Sequence, residues 1–93
     1  MITAIVFVQA DVARIPEVAE QIAALDGVSE VYSVTGEIDL VALVRVRTHE
    51  AVADVVADRL NKVDGVLNTE THIAFRTFSK HDLEAAFALG AED

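Results

Sequence analysis

The chain has 93 residues, enough for one hydrophobic core, and no cysteine, which excludes disulfides and thiolate metal sites. Sixteen acidic residues against seven basic give a formal charge of −9, which opposes direct contact with phosphate backbones and anionic lipid. No apolar run approaches the roughly 20 residues that span a bilayer, although 53% of the residues are apolar, above the usual share of about 45–50%.

The opening MITAIVFVQAD has neither a basic leader nor a cleavage pattern, so a cytoplasmic protein without a membrane partner is expected. Its apolar residues Ile2, Ala4, Val6 and Val8 alternate and predict a strand over about 2–9. Pro16 suits a first helical turn, and Val18, Ala19, Ile22 and Leu25 follow one helical face, predicting a helix over about 15–25. LDGV at 25–28 stops that helix, with Gly27 at the usual place for positive φ. A strand over 28–35, a two-residue turn at Gly36-Glu37 and a strand over 38–47 come next. Thr48 caps a second helix over 49–63, with Glu50 near its positive end. VDGV at 63–66 ends it, and a strand over 66–77 follows.

LDGV and VDGV lie 38 positions apart, and at that offset strand falls on strand and helix on helix. Ile2, Ala4, Val6 and Val8 superpose on Leu40, Ala42, Val44 and Val46, while Val18, Ala19, Ile22 and Leu25 superpose on Val56, Ala57, Leu60 and Val63. Two such halves predict a single α+β domain, a ferredoxin-like βαββαβ sandwich with a four-stranded antiparallel sheet. Its core spans about 1–77, and the capping-box pattern Ser79 to Asp82 starts a short C-terminal helix over about 79–89.

Two helices cover one face of such a sheet. With Ile2, Ala4, Val6, Val8, Ile38, Leu40, Ala42, Val44 and Val46 assigned to that face, Ile5, Phe7, Val41 and Leu43 project from the other. Each side chain of this kind is worth roughly 1.5–3 kcal/mol when buried. The expectation is a homodimer that packs sheet against sheet through these four residues, the alternative being a C-terminal helix folded over them.

The series strand, helix, LDGV, strand, TGEIDL, strand, helix, VDGV, strand, TET resembles the effector-binding (RAM) domain of the Lrp/AsnC family over residues 1 to about 77. The hairpin Thr35-Gly36-Glu37-Ile38-Asp39 carries the resemblance most specifically, and the tail after FRTFS looks like that of the small stand-alone members. The resemblance implies dimers that assemble further, commonly into octamers, and a small effector, usually an amino acid, bound between dimers. It assigns ligand contact to Thr35, Gly36, Glu37, Ile38 and Asp39 and, on the last strand, to Thr69 and Thr71 of the Thr69-Glu70-Thr71 segment. Asp39, on the face of Val41 and Leu43, is chemically suited to an ammonium group, and backbone N–H groups around Gly36 to a carboxylate.

The family's helix-turn-helix domain has no counterpart in these residues, so influence on transcription is expected through a partner such as a full-length regulator. A pure assembly or interaction module is the alternative, and a small ferredoxin-like dimeric enzyme ranks below it. No cofactor or metal is expected, because His49, His72 and His81 lack the i, i+4 spacing of a helical metal site. Ser79 and His81 beside Asp82 read as a helix start, so no catalytic residue is assigned.

Overall fold

The computed structural model describes residues 1–80. The elements in order are β1 (Ile2–Ala10), α1 (Ile15–Ala23), β2 (Val28–Ser33), β3 (Leu40–Val46), α2 (His49–Ala53) and β4 (Val66–Ile73). A single 3-10 turn, Val12–Arg14, leads into α1 and is capped by Asp11, whose side chain accepts the Ala13 N–H. Helix α2 continues through a π-helical turn, Asp54–Arg59, and a 3-10 turn, Leu60–Lys62.

The four strands form one antiparallel sheet in the order β2-β3-β1-β4. Strand β1 opposes β3 in the register Val6 to Ala42 and opposes β4 with Val6 beside Thr71. Ala4, Val6 and Val8 of β1 and Leu40, Ala42 and Val44 of β3 are buried against Val18 and Ile22 of α1 and Val52, Val55, Val56 and Leu60 of the second helix. This is the period-two face of the central strands meeting the apolar stripe of each helix.

Helix ends follow local chemistry. Thr48 accepts the Ala51 N–H at 3.0 Å, and Pro16 sits in the first turn of α1. Gly27 and Gly65 adopt φ of 92° and 99°, a region closed to most side chains. A Cβ on Gly27 would lie 2.8 Å from Val55, and one on Gly65 would lie 2.6 Å from Val18. Each Asp-Gly-Val stop therefore packs against the helix of the other half, which is why the two halves share it.

Three expected elements differ. The second helix is not α-helical throughout: the Leu60 N–H is shared between the Val55 and Val56 carbonyls, which keeps Val56 and Leu60, four residues apart, on the buried side. The β2–β3 connection is six residues wide rather than two, because Val34 pairs with Asp39 at its base and β1 captures the Asp39 backbone. Ile38 thereby leaves the helix-covered face. Strand β4 stops at Ile73 rather than 77: the Ala74 N–H still reaches the Thr3 carbonyl at 2.9 Å, but only Ile2 and Met1 precede Thr3 and little of β1 remains to pair. The helix expected at 79–89 lies outside the described residues apart from its first two positions, and His81 lies outside altogether.

Candidate functional site

On the sheet face away from the helices, Ile5, Phe7, Val41 and Leu43 form a contiguous apolar centre, each half-buried. Polar side chains flank it. On the β2 side the Tyr32 O–H donates to Glu30 at 2.6 Å, a bond that raises the Tyr32 pKa, and Arg45 donates to Ser29 at 3.1 Å. On the β4 side His72 Nε2 stands 3.2 Å from Glu70, and its ring meets Phe7 edge-on with centroids 5.2 Å apart.

At one corner of this face lies a depression of about 290 Å³ lined by Phe7, Gln9, Ile38, Asn68, Thr69 and Glu70. Strand β1 supplies an aromatic floor and an amide, the β2–β3 loop an aliphatic wall, and β4 an amide and a carboxylate. The register explains the set: Gln9 opposes Asn68 and Phe7 opposes Glu70, so these four side chains share a face.

Of the residues proposed for ligand contact, Ile38 and Thr69 line this depression. Glu37 borders it through its carbonyl, which accepts a 3.4 Å hydrogen bond from Gln9 Nε2. Thr35 and Gly36 occupy the exposed tip of the loop, where Gly36 has φ of 106° and open space around it. The Asp39 carboxylate turns to β1 and accepts the Ala10 N–H at 2.8 Å. Thr71, opposite Val6, belongs to the helix-covered face, and the Thr69 hydroxyl donates to Asn61 on that same side at 2.6 Å. Gln9 and Asn68 were not singled out from the sequence; pairing the two strands in register would have put them beside Phe7 and Glu70.

The second half anchors to the first through Arg14, which meets Asp64 at 2.7 Å. The hydrogen bond and charge of Arg14 hold the Asp64 carboxyl below its ordinary value and raise the Arg14 pKa in turn. Among the described residues no cluster of His, Asp and Glu is placed to hold a metal, and no helix is long and apolar enough to cross a membrane.

Residues 3–83 match the Lrp/AsnC ligand binding domain. An HTH-type transcriptional regulator of Pyrococcus horikoshii is 46% identical over 61 residues, 66% of this chain, and the match spans 41% of that protein. The crystal structure of TTHA0845 from Thermus thermophilus superposes with a TM-score of 0.81 at 46% identity, covering 86% of this chain and 100% of that one. A feast or famine regulatory protein of M. tuberculosis, solved in complex with L-methionine, superposes with a TM-score of 0.71 at 27% identity, covering 86% of this chain and 54% of that one. The family is regulatory rather than enzymatic. The strand order, the paired Asp-Gly-Val stops and the match across nearly the whole described chain agree: this protein belongs to the Lrp/AsnC ligand-binding domain family.

Proposed function

We propose that this chain is an effector-binding module that takes a small α-amino acid in the depression beside Phe7 and Ile38, at the rim of an interface between copies. One observation carries the reading: a single concavity gathers groups of the three kinds that a zwitterion requires. The Glu70 carboxylate suits an ammonium group, the Asn68 and Gln9 amides suit a carboxylate, and Phe7 with Ile38 suits an apolar side chain. The L-methionine held by the M. tuberculosis relative is a ligand of this class.

The depression opens at the corner of an apolar face that a second copy would cover, so ligand and assembly are thermodynamically linked. An effector that prefers one assembly state shifts the population toward it and alters contact with a regulator, in a cytoplasmic setting. Thr35, Gly36 and Glu37, at the loop tip, become ligand contacts only if a neighbouring copy or a loop movement brings them over the depression.

Isothermal titration of the amino acids, L-methionine included, tests the reading. The expected result is saturable binding of at least one amino acid, weakened about tenfold or more by Glu70→Gln, since a hydrogen bond to a charged group is worth about 1.5–3 kcal/mol. No binding of any of them at millimolar concentration would leave the domain as an assembly module alone.

A further inference from the structure

We infer that His72 is a positioning residue that makes effector affinity depend on acid: a proton on its imidazole and the ammonium group of the ligand compete for the Glu70 carboxylate. On the amino-acid reading of the depression, on which this rests, Glu70 is the group that takes the ammonium. His72 lies outside the lining and acts on it through two neighbours.

Strand periodicity brings the three groups together. Glu70 and His72 are two residues apart on β4 and project from the same face, away from the helices. Glu70 opposes Phe7 and His72 opposes Ile5, so the imidazole reaches the Phe7 ring along the diagonal. The two rings meet at 69° with centroids 5.2 Å apart, an edge-on contact. Nε2 of the same imidazole stands 3.2 Å from Glu70 Oε2. One side chain therefore touches both the aromatic floor and the carboxylate of the depression.

A single proton changes what that contact does. An imidazole changes charge between about pH 5 and 8, and an ionised carboxylate only accepts. The protonated ring pairs with Glu70 from within the chain and repels an incoming ammonium group. The neutral ring leaves the charge of Glu70 to the ligand. Few other charges bear on the pair. The β1 residues facing His72 are Thr3, Ile5 and Phe7, none of them titratable. Arg45 of β3, opposite Thr3, is turned to β2, where it donates to Ser29 and stands 4.0 Å from Glu30. Arg76 follows only after β4 has ended at Ile73. Among the described residues no basic side chain lines the depression, so His72 is the switchable positive charge at its border. Both partners are solvated, 54% for His72 and 71% for Glu70, which keeps the effect to about two- to fivefold in affinity.

Isothermal titration of the amino acids, L-methionine included, at about pH 5.5 and about pH 8 tests the competition in the parent chain, His72→Gln and His72→Lys. The parent should bind about two- to fivefold more weakly at the lower pH. His72→Gln keeps a polar side chain that does not titrate, so it should bind equally at both, near the parent's affinity at the higher pH. His72→Lys is charged at both and should bind weakly at both. A merely structural role would not produce this pattern, and His49 and His81 remain in every variant. The same pH ratio in His72→Gln as in the parent, or no ratio in the parent, would overturn the competition while leaving the effector site standing. Binding of no amino acid at either pH would instead remove the effector reading, and the competition with it.

Discussion

The Asp39 carboxylate accepts the Ala10 N–H at 2.8 Å while the Asp39 N–H donates to the Val8 carbonyl at 3.0 Å, so one residue clips the β2–β3 loop to both sides of Gln9. Asp39 thus positions the depression rather than lining it. Asp39→Ala leaves the N–H of buried Ala10 unpaired, at a cost of about 1–3 kcal/mol, whereas Asp39→Asn retains an acceptor and costs less. Urea unfolding of the two variants checks this order.

Among the described residues, the three glycines with positive φ separate backbone strain from crowding. Gly36→Ala meets strain alone, worth about 1 kcal/mol or somewhat more. Gly27→Ala and Gly65→Ala add a collision with Val55 or Val18, and overpacking costs a further 1–3 kcal/mol or so. Thermal unfolding should rank Gly36→Ala the mildest of the three.

Much of this architecture is written locally. Pro16, Thr48, Gly27 and Gly65 each sit where local backbone chemistry needs them, and the period-two runs of β1 and β3 assign their buried faces correctly. What could not be read depends on partners distant in sequence. The width of the β2–β3 loop follows from Asp39 bonding β1 almost thirty residues earlier, and the end of β4 follows from where β1 begins. Asn68 rather than Thr71 flanks the depression because register, not residue type, decides which face a β4 side chain occupies.

The Arg14–Asp64 pair makes stability depend on acid. The folded pKa of Asp64 lies below its ordinary 3.8, so the pair's contribution is present above that value. It is lost as pH falls through the lower folded value, while Arg14 remains charged. Both groups are exposed to solvent, 37% for Arg14 and 83% for Asp64, so the contribution is small and salt screens it. Asp64→Asn should be less stable than the parent chain near neutral pH in low salt. That difference should vanish in strong acid and shrink in high salt, as followed by denaturation at each condition.

The proposed assembly through Ile5, Phe7, Val41 and Leu43 can be tested separately from folding. These side chains face away from the helices, so Leu43→Asp should weaken association while helix and strand content remain. Circular dichroism together with sedimentation distinguishes this from simple unfolding.

Sedimentation equilibrium of the unmodified chain at micromolar concentration tests the central claim most directly, because the proposed site depends on a second copy closing over the sheet. A mass of two or more chains, reduced by Leu43→Asp, is the predicted result. A folded particle with the mass of a single chain would contradict it.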